Sequence, residues 1–258
     1  HWAEGVLTEV ILREAAGAWL APLKRLNPSL RAERPFTVER IAAAAGGSLA
    51  ANAYNHSFCG MTLQYLLFWG MDSGLLFLRE RRRGIWRRLR AAPVTPATLL
   101  AGKALATALI ALLQIAVTFG FGYLAFGVTV SGSFPGFLAL ALGAAALSAA
   151  TGLLVAAVGG NEGRARSVAI LAILSLSLLG GLWLPSFLLP RAVQRLALAL
   201  PTTWAVRGFE GVTWQGMGWP AALRCAAVVL AFSAAFLAVA LWGFARADTR
   251  PGSEGGAA

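Results

Sequence analysis

Charge is scarce in this sequence: Asp, Glu, Lys and Arg make up 13% of 258 residues, too little to cover the surface of a water-soluble domain of that length. Cysteine and histidine are scarcer still. Cys59 and Cys225 form no disulfide framework and are expected to act as small apolar packing residues, although a bond between them stays conceivable. His1 and His56 cannot build a metal site by themselves. A phosphate-binding loop of the form Gly-x-x-x-x-Gly-Lys-Ser/Thr is absent, since Gly102-Lys103 lacks both the earlier glycine and the following hydroxyl. A signal peptide is excluded over Gly5 to Leu23, where Glu9, Arg13 and Glu14 interrupt the apolar core it would need.

What is abundant is apolar sequence in long runs. Hydrophobic residues reach 58% and the mean hydropathy is +0.68. Crossing about 30 Å of hydrocarbon takes roughly 20 helical residues. Phe58 to Leu78 meets that length with one charge, Asp72, while Ala104 to Phe126, Gly136 to Val158 and Cys225 to Phe244 carry none. A shorter run, Val168 to Leu184, is preceded by Arg164 and Arg166 and closed by Pro185. The runs are continuous and rich in Leu and Ala, unlike the short alternating segments of membrane barrels. The expected fold is all-α and polytopic, with five transmembrane helices at about 58–78, 104–126, 136–158, 168–184 and 221–244. These make a transmembrane domain over 57–245, preceded by a helical segment at 1–56 and followed by a tail at 246–258.

A net charge of +11 raises the question of nucleic acid, and the position of the basic residues answers it. They gather at the ends of the apolar runs. Between Arg79 and Lys103 there are eight basic residues against the single acid Glu80, while Gly127 to Pro135 has no charge at all. The positive-inside rule puts 79–103 in the cytoplasm and 127–135 outside, and Arg164, Arg166, Arg246 and Arg250 fit the same orientation. Residues 1–56 are then outside and the C-terminus is cytoplasmic. No nucleic-acid partner is expected; membrane lipids are.

The stretch from Arg79 to Arg90 holds the most information. Ile85, Trp86 and Leu89 share one helical face with arginines around them, the pattern of a short amphipathic helix at the inner membrane surface. Pro93 stops it, and Thr95-Pro96 reads as an N-cap followed by proline at the first helical position. Glu80 lies three positions before Arg83, within helical pairing reach. On physics alone two readings stand level: an arginine anchor on anionic lipid, and a docking surface, since an anchor needs only charge and this segment also fixes a tryptophan, a glycine and a proline.

Other features sit inside the runs. Asp72, about two turns from the inner edge, is costly in lipid and is expected to pair with Lys103 or Arg166, or to act in gating. Ala144, Ser148, Gly152 and Ala156 repeat every four residues, a stripe that lets another helix approach, more simply within the chain than between chains. Residues 185–219 hold Pro185, Pro190, Pro201 and Trp204 and are too broken to span, so they are expected to form short helices folded back into the outer leaflet.

Taken together, Leu78-Arg79-Glu80-Arg81-Arg82-Arg83-Gly84, Arg87-Arg88-Leu89-Arg90-Ala91-Ala92-Pro93-Val94-Thr95 and Gly102-Lys103 resemble the permeases of type-2 ATP-binding-cassette exporters. Gly180-Gly181 and Leu200-Pro201-Thr202-Thr203-Trp204 resemble the fifth helix and the re-entrant outer helices of that family. The resemblance covers about residues 54–245. It implies that the five spans correspond to the family's helices two to six, with a first helix expected upstream of His1. It implies further that two permease copies, identical or different, form a substrate pathway in the bacterial cytoplasmic membrane, and that this chain binds no cofactor, ATP being held and hydrolysed by a separate cytoplasmic ATPase. Residues 80–92 would then be the coupling helix seated in an ATPase cleft, with Glu80, Arg83, Gly84, Ile85, Trp86, Arg87, Arg88 and Leu89 at the contact. Two alternatives remain: a secondary transporter or channel, for which Asp72 is the one qualifying ionisable group, and a membrane enzyme, which would need a catalytic cluster that the runs lack. Leu66-Leu67-Phe68-Trp69 suits a lipid-like or amphiphilic cargo and suits plain lipid-facing packing equally.

Overall fold

A computed structural model describes residues 49–85, 95–183 and 190–248. Every regular element among them is a helix: α1 (Leu49–Arg82), α2 (Pro96–Phe126), α3 (Phe134–Val158), α4 (Glu162–Leu179), α5 (Arg191–Ala197), α6 (Pro201–Thr213) and α7 (Trp219–Asp248). The chain is thus a polytopic helical membrane protein. Among the described residues three stretches, Ala97–Phe126, Phe134–Val158 and Trp219–Arg246, are long and apolar enough to cross a bilayer. The expected spans at 58–78 and 168–184 fall in α1 and α4, which mix polar side chains such as Gln64, Asp72 and Arg166 into their apolar ones.

Helix starts and stops follow local chemistry. The Thr95 hydroxyl accepts from the Thr98 N–H at 3.2 Å and Pro96 sits in the first turn, where its missing donor costs nothing, so α2 begins where Thr-Pro predicts. Ser133 caps α3 in the same way through Gly136 N–H, again at 3.2 Å. Gly127 ends α2 in the left-handed region at φ 67°, a conformation that glycine takes without penalty.

The core forms around α3. Of its most apolar window 67% is buried, against 22% for α2 and 28% for α7, so α3 is the central post and the other two turn long faces outward. Leu105, Leu109, Leu113, Val117 and Leu124 line the outward face of α2. The small-residue stripe of α3 meets α1 within the chain. A Cβ added at Gly70 would lie 2.2 Å from the Ser148 carbonyl oxygen, and one at Gly74 2.2 Å from that of Gly152, so the two backbones touch. The Ser148 hydroxyl, otherwise a buried polar group in an apolar core, donates to the Leu66 carbonyl at 2.5 Å. Phe119 of α2, Phe137 of α3 and Phe209 of α6 then close a three-ring knot with centroid separations of 5.0 to 5.6 Å.

Two expected boundaries need correction. Helix α1 runs unbroken through residues 56 and 57, so the boundary expected there is not a break in the helix, and His56 packs with the bundle. The span expected to reach residue 184 stops as a helix at Leu179, because Gly180 is pressed against Thr202 and Gly181 takes φ 81°. A Cβ at Gly180 would stand 2.0 Å from the Thr202 hydroxyl oxygen, and that hydroxyl donates to the Leu176 carbonyl at 3.1 Å, docking the start of α6 on the end of α4.

Candidate functional site

The arginine-rich end of the bundle holds a set of interhelical ties centred on the last turns of α1. One face of α1 carries Trp69, Ser73, Phe77 and Glu80 at helical spacing, and α2 answers it with Lys103 and Thr107. The Thr107 hydroxyl donates to its own helix at the Lys103 carbonyl, 2.9 Å, and therefore accepts from Ser73 at 2.6 Å. Trp69 Nε1 donates to the Thr107 carbonyl at 3.3 Å. Lys103 is ion-paired with Glu80 and lies 6.0 Å over the Phe77 ring. Glu80 thus pairs across to the next helix and not with Arg83 along its own; α1 ends at Arg82, and Arg83 lies in the turn beyond it.

A second set of ties joins α1 to α4. Arg79 donates through Nε to Glu162 Oε1 at 2.6 Å, and its Nη2 lies 2.5 Å from the same oxygen in an ion pair. The hydrogen bond from Arg79 holds the Glu162 carboxyl below its usual range, and the same bond raises Arg79. Arg82 donates to the Gly160 carbonyl at 3.2 Å. Two turns further in, Asp72 faces Arg166 at 3.7 Å, with both side chains about half exposed. Of the two partners expected for Asp72, Lys103 is taken by Glu80.

Between α1 and α2 at this level lies a cavity of about 590 Å3. Its walls are apolar over Leu75, Leu76, Leu99 and Ile110, and polar where Asp72, Ser73, Lys103, Thr107 and Arg166 reach it. Trp69 and Arg79 complete the lining on the α1 side.

Gly84 adopts φ 72°, which breaks α1 from whatever follows; residues 80–82, expected as the start of a separate short helix, are the last turn of α1. Ile85 is helical and partly exposed. Trp86, Arg87, Arg88 and Leu89 lie outside the described residues, as does Pro185.

At the opposite end, α5 and α6 occupy the region expected to fold back. Pro190 caps α5, Pro201 starts α6 and is buried, and Trp204 Nε1 donates to the Leu198 carbonyl at 2.9 Å. The uncharged loop after α2 is knitted to the end of α6, with Ser131 N–H on the Thr213 carbonyl at 3.1 Å and Gly132 N–H on that of Val212 at 2.9 Å. Here His56 Nδ1 bonds the Glu210 carboxylate in a largely buried pair joining α1 to α6. Nothing in the sequence reading singled out that pair. The available signal was that Glu210 is the sole carboxylate between Glu162 and Asp248. Cys59 and Cys225 are both free and buried.

The arrangement has an apolar helical core, interhelical ion pairs at its basic end and a folded cap at the other, as a polytopic membrane protein requires. The family model described as ABC-2 family transporter protein matches residues 5–243, and the chain belongs to that family. It is 29% identical over 182 residues to the inner membrane transport permease YhhJ of Escherichia coli strain K12, and equally to the protein of that name in Shigella flexneri. The match takes in 67% of this chain and 46% of each relative, so the chain spans about half the length of the curated relatives it matches. No solved structure matches the chain.

Proposed function

We propose that this chain is the membrane-crossing part of an ATP-driven exporter, working in the inner membrane of a bacterium with a second permease copy and a cytoplasmic ATPase that binds all of the ATP. The observation that carries the reading is the double tie on the last turns of α1, Glu80 to Lys103 of α2 and Arg79 to Glu162 of α4, immediately before Gly84. A force applied to the coupling segment beyond Gly84 would reach three helices together and rock them as a unit, which is what alternating access driven by ATPase closure requires. In this reading α1 and α4 cross the membrane alongside α2, α3 and α7, the arginine-rich end faces the cytoplasm, and α5 and α6 lie at the outer surface. The test is to purify the intact protein from its own membranes and look for an ATPase that comes with it and whose hydrolysis responds to the permease. A protein that purifies without any ATPase and transports under an ion gradient alone would favour the secondary-transporter reading.

Orientation has its own check. Cysteine placed at Ser131, exposed in the loop at the α6 end, is expected to react with impermeant thiol reagents added outside, and cysteine at Ala91 is not. Cys59 and Cys225 are buried and keep the background low. Reversed labelling would overturn the orientation.

The clamp predicts a charge-swap result. Glu80→Lys alone sets two ammonium groups against each other where one ion pair stood and is expected to lower transport at least tenfold. Adding Lys103→Glu restores the pair with reversed sign and is expected to recover most of the loss. Transport is measured in everted vesicles with protein levels matched. No recovery in the double variant would show that Glu80 acts elsewhere than through Lys103.

A further inference from the structure

The cavity between α1 and α2 carries the substrate class, given the exporter reading above. Its 590 Å3 is of the size that encloses a small amphiphile, and its lining is apolar with few convergent charged groups. Three basic side chains reach it, but they are not equally free. Arg79 is held by a hydrogen bond and an ion pair to Glu162, and Lys103 is paired with Glu80, so both are neutralised by carboxylates that do not line the cavity. Asp72 is the carboxylate that does line it, and its contact with Arg166 at 3.7 Å is looser than the Arg79–Glu162 and Lys103–Glu80 pairs.

Which sign of charge a ligand carries follows from what each partner does when displaced. Asp72 stands ten residues before the end of α1, about 15 Å along the helix, whereas Arg166 is four residues from the start of α4, about 6 Å from that same end. A cationic ligand on Asp72 releases Arg166, whose long side chain reaches the interface from its shallow position at little cost. An anionic ligand on Arg166 would strand Asp72 deeper, on a side chain too short to reach water, and an unpaired carboxylate at that depth is expensive. Trp69 on the same wall adds an indole to the lining, a ring system whose π face attracts cations and repels anions. We propose that this cavity binds hydrophobic monocations, with Asp72 as the residue that selects their charge and Arg166 as an internal counter-ion that yields to them.

The experiment uses two probes of matched shape and opposite charge, tetraphenylphosphonium and tetraphenylborate. Equilibrium binding is measured on the intact protein in phosphatidylcholine nanodiscs, with empty nanodiscs subtracted and without any ATPase. Tetraphenylphosphonium is expected to bind saturably and tetraphenylborate not. Asp72→Asn is expected to weaken the cation at least tenfold, while Arg166→Gln, which removes the competing internal cation, leaves binding equal or tighter. That opposite response separates a binding role from a structural ion pair, which both variants would damage alike. Equal binding of the two probes, no saturable binding of either, or equal losses in Asp72→Asn and Arg166→Gln would overturn the assignment. Because no ATPase takes part, such a failure leaves the copurification test of the exporter reading untouched, and failure of copurification leaves the binding result standing.

Discussion

Gly74→Leu is expected to abolish folded protein. At this position a Cβ would stand 2.2 Å from the Gly152 carbonyl oxygen and 3.0 Å from its carbon, so the added atoms meet backbone of the central helix and no side chain can turn aside. Relief requires α1 and α3 to separate. That separation would also pull Ser148 from the Leu66 carbonyl and leave both groups unpaired in an apolar interior. Overpacking a core costs about 1–3 kcal/mol when side chains absorb it, and a backbone clash at a helix crossing, with a buried hydrogen bond lost, is expected at the upper end of that range or above. Gly120→Leu supplies the contrast, since Gly120 has no heavy atom within 4 Å of an added Cβ and replacing a helical glycine is favourable by roughly 0.5–1 kcal/mol. Size-exclusion profiles and thermal melts in mild detergent should show aggregated or absent Gly74→Leu beside a Gly120→Leu at least as stable as the parent. A monodisperse Gly74→Leu with an unchanged melt would mean that α1 and α3 do not cross at this glycine.

That crossing also shows how far sequence reasoning reached. The stripe Ala144, Ser148, Gly152, Ala156 was legible because small residues every four positions mark a helix face, yet nothing local to it names the partner. The matching signal lay in α1, where Gly70 and Gly74 stand one turn apart in an apolar run. Capping at Thr95-Pro96 was legible for the opposite reason: its physics is confined to four residues. Ion pairs were partly legible. Asp72 had two plausible partners in the sequence, and the choice of Arg166 depends on Lys103 being occupied by Glu80, a contact between helices that short-range pairing rules assign instead to Arg83. The end of α4 was misplaced because Pro185 is the visible breaker, whereas the operative one is Gly180, whose role depends on Thr202 packing where a side chain would go. His56 and Glu210 went unread, since a lone histidine and a lone glutamate 154 positions apart have no sequence relation until α1 and α6 come together.

The arginine segment after Gly84 remains divided between an anchor and a docking surface, and Trp86 separates the two. As an anchor, residues 84–92 would hold the membrane by charge and by apolar burial, and lipid would replace whatever contact Trp86→Ala removes. As a docking surface, the same truncation empties a pocket in a protein partner, where losing an aromatic anchor often costs about 2 kcal/mol, roughly thirtyfold in affinity. A protein partner fits the mechanics better than lipid does. Lipid cannot deliver a directed push, and the ties from Arg79 to Glu162 and from Glu80 to Lys103 are placed to pass one on from the α1 terminus to α2 and α4. In the intact protein, Trp86→Ala is therefore expected to lose copurification with its ATPase and transport-linked ATP hydrolysis. Arg87→Lys together with Arg88→Lys, which keeps the charge, should do much less. Membrane insertion and orientation should be unchanged in both variants, because the basic residues that mark this side of the membrane remain. If Trp86→Ala keeps full ATPase association and transport, the docking role falls, and the segment is left as an arginine anchor whose ties to α2 and α4 serve packing alone.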